Sequence, residues 1–174
     1  MDPAFSYMVL GRYPAQASTQ LISPDWIAKA RSRWDVYVSQ NGEIPPKGTF
    51  AIMGQDVGEF GSDSNVTCFR YGGFVERFVV WGGVDTVKTS DRAVSEYEAR
   101  TVSRVNVDAT GVGAGVAPQM KRSGCNATPV KVASSPTETT ELGEFYILRD
   151  QFWGGLVGSG YVPILGRCCH LMSN

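Results

Sequence analysis

Histidine is nearly absent from the chain: His170 is the only one in 174 residues, and no nucleophile motif accompanies it. That excludes Ser–His–Asp catalysis, which needs an imidazole base beside a placed hydroxyl. The four cysteines, Cys68, Cys125, Cys168 and Cys169, form no Cys-x-x-Cys pair and have no histidines at zinc spacing, so they read as reduced thiols of a cytoplasmic protein. The crowded triplet Cys168-Cys169-His170 leaves two readings, a soft-metal ligand set or a packing role. No run of 18 or more apolar residues exists and no basic-then-apolar leader opens the chain, which argues against membrane insertion and secretion. A phosphate-binding Gly-x-x-x-x-Gly-Lys-Ser/Thr motif is missing as well, which removes the P-loop type of nucleotide hydrolysis. Nor is there an excess of charge: 16 basic and 17 acidic residues give a formal net charge of -1, so any nucleic-acid contact must come from a local patch.

What is present is enough for one domain, with 43% hydrophobic residues to build a core. After a lead-in segment over 9–20, Ser23-Pro24-Asp25-Trp26 reads as an N-cap followed by proline in the first turn. The helix it opens carries Trp26, Ile27, Ala30 and Trp34 at helical spacing and ends before Asn41-Gly42. Residues 44–48 are a linker. Thr49 to Val57, Val66 to Tyr71 and Phe74 to Val80 form an expected three-strand antiparallel meander. Ser90 to Val102 is an expected helix, with Ala93, Val94, Tyr97 and Val102 on one stripe. Arg104 to Ala109 is a strand ending at Asp108, and a glycine loop, a helix over Val116 to Ser123 and a strand over Thr128 to Val132 follow it as a βαβ unit. A polar loop over 134–142 then leads to an amphipathic helix, Glu144 to Leu156.

An antiparallel hairpin unit followed by a helix and parallel βαβ elements is the order of an α/β, ribonuclease H-like mixed sheet with helices on both faces. The division expected is a lead-in segment and linker helix over 1–48, the domain over 49–156 and a tail over 157–174. In this order the first strand and the next parallel strand lie side by side, about 4.8 Å apart. Asp56 and Asp108 stand at their ends. Two carboxylates so close repel unless a cation lies between them, and their hard oxygens suit Mg²⁺ or Mn²⁺. Spacing alone leaves a second reading open, in which Asp56 starts a turn and Asp108 caps the glycine loop.

The residues around both acids carry a resemblance. Met53-Gly-Gln-Asp-Val-Gly-Glu-Phe-Gly-Ser-Asp63 resembles the first catalytic motif of the nuclease domain of tailed-phage terminase large subunits. Val107-Asp-Ala-Thr-Gly-Val-Gly-Ala-Gly-Val-Ala-Pro-Gln-Met120 resembles the second. Leu10-Gly-Arg-Tyr-Pro14 and Leu21-Ile-Ser-Pro-Asp-Trp-Ile27 are similar to the segment joining that family's ATPase to its nuclease, and Glu138 and Glu141 through Trp153 to its loop and penultimate helix. The likeness spans residues 9–156 and implies a Mg- or Mn-dependent endonuclease domain acting on double-stranded DNA, with Asp56 and Asp108 as metal ligands and Asp63 as a further catalytic acid. It also implies other packaging proteins as partners, a cytoplasmic place in a phage-bearing bacterial host and no membrane. The family sets another Asp on a helix after the final strand. Residues 157–174 hold no acid, so the site is expected to lack its last carboxylate, and the face left by that helix invites the tail or a second copy of the chain.

The run Gly111-Val-Gly-Ala-Gly115 does not make a dinucleotide site, because there the ribose-binding acid lies ~20 residues after the glycines, whereas Asp108 precedes them. No nucleotide cofactor is therefore expected. Trp26, Trp34, Phe145, Phe152 and Trp153 read as packing side chains rather than base-stacking platforms. Candidates for phosphate contact are Lys88, Arg92, Lys121, Arg122 and Lys131, and such contacts weaken with salt. Three functions remain at this stage: the endonuclease, a catalytically inactive DNA-binding or protein-interaction remnant of it, and a nucleotide-binding module that the place of Asp108 disfavours.

Overall fold

The computed structural model describes residues 22–58, 63–82, 85–140 and 143–158. The lead-in segment, Cys168-Cys169-His170 and the tail from residue 159 on lie outside the described residues.

Helix α1, Pro24–Asn41, begins where the sequence signals it: the Ser23 side chain accepts the Trp26 amide at 3.2 Å and Pro24 occupies the first turn. It stops at Gly42, whose φ of 72° suits a residue without Cβ. The sheet follows. Strands β1 (Ala51–Asp56) and β2 (Ser64–Tyr71) pair antiparallel, with Asp56 opposite Val66. Beyond β2 the expected third strand is divided into β3 (Phe74–Val75) and β4 (Val79–Gly82), both on the same edge of β2. The register explains the break: Val75 faces Arg70 and Val79 faces Thr67, so four steps on one side meet three on the other. One extra residue forces a bulge, and Glu76, inside it, turns to Arg100 at 2.8 Å.

Helix α2, Thr86–Glu98, starts four residues before the expected Ser90, because Asp85 accepts the Lys88 amide at 2.8 Å and caps it. It ends earlier too, since Val102 belongs to the next strand. That strand, β5 (Val102–Asp108), lies parallel to β1; a 3₁₀ turn over Gly111–Gly115 leads into helix α3 (Val116–Arg122), and β6 (Ala127–Val130) runs parallel to β5. The expected loop over 134–142 contains β7 (Thr139–Thr140), which pairs with β8 (Gly143–Glu144). Helix α4, Leu148–Gly158, is held to the segment after β6 by Arg149 N–H on the Val132 carbonyl at 3.0 Å. The main sheet has the order β3-β2-β1-β5-β6, with β4 also on β2. It is therefore mixed, as the sequence order requires.

Alternation assigns the faces. Ala51 and Met53 of β1, Phe69 and Tyr71 of β2, Val105 and Val107 of β5 and Ala127 of β6 point to one side. There they meet Ala93 of α2, Val116, Ala117 and Met120 of α3, and the partly buried Trp34 and Tyr37 of α1, which tilt against Phe74. Arg100 closes this core, its guanidinium 4.0 Å over the Phe69 ring and bonded to Glu76 and Glu96 at 2.8 Å each.

Candidate metal centre

The other face of the sheet holds the acids. In β1 residues 51, 53 and 55 point into the core, so Ile52, Gly54 and Asp56 point away from it; in β5 Val105 and Val107 point in, and Asn106 and Asp108 away. Gln55 pairs with Val107 as the last step of the β1–β5 ladder, and Asp56 and Asp108 come directly after. The two carboxylates thus leave the same face from neighbouring parallel strands, about 4.8 Å apart. Asp56 is exposed and Asp108 half-buried.

Several local contacts fix the backbone beneath them. Oδ1 of Asp108 accepts the Thr110 amide at 2.9 Å, which holds the carboxylate over the start of the glycine loop. It still has lone pairs to offer a cation, since a carboxylate accepts at about four sites. Gly113 packs so closely under Asp108 that a Cβ there would overlap the Asp108 carbonyl oxygen. Gly58, two residues after Asp56, faces the backbone of Asp63 and Ser64, with 2.7 Å to the Ser64 carbonyl carbon from the place a Cβ would take. Its amide goes to Oδ1 of the buried Asn65 at 3.2 Å. Gln55, fully buried, donates from Nε2 to the Asp56 carbonyl at 2.7 Å and accepts the Thr67 hydroxyl on Oε1 at 2.6 Å. Neither Gln55 nor Asn65 stood out in the sequence. A signal existed, because Gln55 is a polar residue in the inward phase of β1.

Asp63 is exposed and lies three residues ahead of Val66, the strand partner of Asp56. Among the described residues no group of three or more His, Cys, Asp or Glu side chains is placed to hold a metal. The basic residues divide by position. Lys88 is in the first turn of α2, and Lys131 follows β6 directly, both at the end of the sheet that carries the acids. Arg92 lies along α2, 5.2 Å over the Trp81 ring and 3.8 Å from Glu96. Lys121 and Arg122 occupy the last turn of α3, and a crossover helix between parallel strands carries that turn to the opposite end. A separate cleft of about 1050 Å³ lies between α1 and the β3–β4 edge. It contains neither acid, and four of its charges pair with each other: Arg77 with Glu43 at 2.8 Å, Arg100 with Glu76. The Arg77 hydrogen bond holds Glu43 below the usual carboxylate range.

Topology and acids together define a ribonuclease H-like domain with a carboxylate pair at the ends of adjacent parallel strands. No protein-family model matches the chain, and no curated protein sequence matches it. Solved structures do. The nuclease domain of the large terminase subunit gp2 of bacterial virus Sf6 is similar at a TM-score of 0.64 and 22% identity, over 89% of this chain and 73% of that one. A variant of that domain with manganese is similar at 0.62 and 21% identity, with the same coverage. The large terminase nuclease of thermophilic phage G20c with bound magnesium follows at 0.50 and 20% identity, over 70% of this chain and 61% of that one. The chain thus has the fold of phage large-terminase nuclease domains. Among the described residues no helix is long and apolar enough to cross a membrane.

Proposed function

We propose that this chain is the nuclease domain of a phage DNA-packaging terminase, a metal-dependent endonuclease for double-stranded DNA in which Asp56 and Asp108 hold Mg²⁺ or Mn²⁺. The reading is supported by one observation above all: the strand register that sets the two acids side by side on one face, in a fold shared with phage terminase nucleases. Two hard carboxylates fit these cations and not a soft metal. A bound ion supplies Lewis-acid polarisation of the phosphodiester and a more acidic water. The chain's own part is to keep both carboxylates fixed at one strand spacing, which the Thr110 amide does for Asp108. Lys88 and Lys131, at the same end of the sheet, are the basic residues best placed to meet phosphates near the acids; Arg92 lies further along α2, and Lys121 and Arg122 serve only a duplex that passes the far end. Asp63 stays outside the ligand group, and residues 157–174 hold no acid.

With two carboxylates a second ion is under-ligated, so hydrolysis is expected to be slow, on the order of 10²–10³-fold below a fully ligated site. The absence of a third carboxylate beside them among the described residues favours the alternative, an inactive DNA-binding or protein-interaction form of the domain. Thermal unfolding with and without Mn²⁺, run beside supercoiled plasmid cleavage, separates the readings. Manganese at a hundred times its dissociation constant stabilises by about 2.7 kcal/mol, and Asp56→Asn or Asp108→Asn removes that gain. A manganese response that survives both substitutions would falsify the metal reading. Plasmid cutting that is slow and lost in Asp56→Asn supports the nuclease; stabilisation without any cutting supports the inactive form.

A further inference from the structure

We infer that Arg70 and Arg104 form a phosphate-binding pair for DNA on the same sheet face as the acids, an inference that rests on the proposed reading that this face takes double-stranded DNA. Ile52 of β1 is the partner of Arg70 in β2 and of Arg104 in β5, so the two arginines flank it in one row across the sheet. Their phase is that of the acids. Phe69 and Tyr71 of β2 and Val105 and Val107 of β5 point into the core, which sends Arg70 and Arg104 to the other side, with Asp56 and Asp108. The row between the two pairs is Cys68, Gly54 and Asn106, so no long side chain of these three strands stands between the arginines and the acids. Both arginines are half-buried. Arg77, Arg92 and Arg100 each face a carboxylate, whereas neither Arg70 nor Arg104 has an ion pair among the described residues, and Arg70 Nε is buried without a hydrogen-bond partner. Taking a charge partly out of water without a counter-charge is costly. Two such cations in one row also repel each other, and an anion that meets both relieves both costs. The planar fork of a guanidinium suits phosphate oxygens. Ile52 lies four residues before Asp56, about 13 Å along the strand. One DNA strand carries a phosphate about every 3.4 Å along the helix axis. A duplex lying along β1 with one phosphate at the acids therefore brings others of the same strand to the arginine row, roughly four nucleotides away.

Fluorescence anisotropy of a labelled blunt duplex, titrated in EDTA at several salt concentrations so that nothing is cut, counts the phosphate contacts. Arg70→Gln and Arg104→Gln are each expected to weaken binding about tenfold and to lower the salt dependence by about one contact, and the double variant by about two. Arg33→Gln removes the same charge from an exposed position on α1 and is expected to leave the salt dependence unchanged. Arg70→Lys/Arg104→Lys keeps both charges and loses the forks, so the salt dependence is expected to stay while affinity falls a few-fold. Urea midpoints report folding, and should the double glutamine variant fail to fold, Arg104→Gln and the lysine pair carry the test. A salt dependence equal to that of the wild type in folded glutamine variants overturns the pair as a phosphate site; a manganese response lost in Asp56→Asn then leaves the metal reading standing. A wild type that binds no duplex overturns this inference and the double-stranded DNA reading together.

Discussion

Replacing Gly113 with alanine tests how the glycine loop supports Asp108. Gly113 is buried, and an added Cβ would overlap the Asp108 carbonyl oxygen, sit 3.1 Å from its carbonyl carbon and 3.4 Å from Cβ of Val57. The obstacle is main chain in a strand held on both sides by β1 and β6, so it has no rotamer with which to yield. Overpacking typically costs 1–3 kcal/mol, and a backbone obstacle belongs at the top of that range. Alanine also narrows the unfolded ensemble, which returns about 0.4–1 kcal/mol. The net loss is therefore about 2–3 kcal/mol. Gly115, in the same loop, is the control: its φ of -82° and ψ of -24° are helical and an added Cβ meets nothing within 4 Å. Gly115→Ala is expected to stabilise by about 0.5–1 kcal/mol. Equilibrium unfolding in urea, followed by tryptophan fluorescence, should separate the two variants by about 3 kcal/mol, or by roughly 6–12 °C in melting temperature for a chain of this size. Equal stability within about 0.5 kcal/mol would refute the claim that Gly113 is required by close approach to Asp108. The Gly113 variant should also bind Mn²⁺ more weakly, since relief of the overlap moves the Asp108 main chain.

Arg100→Ala removes two 2.8 Å charge-assisted hydrogen bonds and the contact over Phe69, and should destabilise by about 2–3 kcal/mol in urea, with Arg100→Lys losing roughly half as much; a change under about 0.5 kcal/mol would place the network outside the core's energetics. Burial, and after it the nearby Glu98 charge, pushes the Cys125 thiol above its ordinary range. A raised folded value gives stability that is complete below the unfolded thiol pKa and is lost as pH rises through the folded one. Stability should therefore decline with alkaline pH, and Cys125→Ala should flatten the lower part of that decline. Tyr71, raised by burial and then by Glu76, keeps the upper part in the same direction. An unchanged slope in Cys125→Ala would contradict the assignment.

Much of this fold was legible because its signals are local and repeated. Strand alternation and the Asp108-to-Gly115 turn gave the order of strands, and order gave the adjacency of Asp56 and Asp108. The N-cap at Ser23 was equally plain. What escaped was set by counting across strands: the single extra residue between Val75 and Val79 leaves no mark in Glu76-Arg77-Phe78, since it exists only relative to Arg70 and Thr67. The early start of α2 was hidden because the apolar stripe begins at Ala93, whereas the cap at Asp85 lies two turns ahead of it. Lys121 and Arg122 are set apart from Lys88 and Lys131 by direction, because a helix that returns to the start of a parallel strand ends away from where it began.

The residues that escaped at the site share one physical cause. A strand's interior is positioned by its ladder, but a carboxylate that must face a cation and a substrate belongs where the ladder has stopped. At that point backbone groups lose their partners, and each must be satisfied by something other than a strand. Here Asn65 serves the Gly58 amide, and Asp108 itself the Thr110 amide. Gly58 and Gly113 let neighbouring main chain approach where any side chain would hold it off. Acids announce themselves in a sequence by their charge. Their supports are ordinary amides and glycines, recognisable only once the end of the ladder is known, and on the proposed reading it is these supports that set how well two carboxylates remain within reach of one ion.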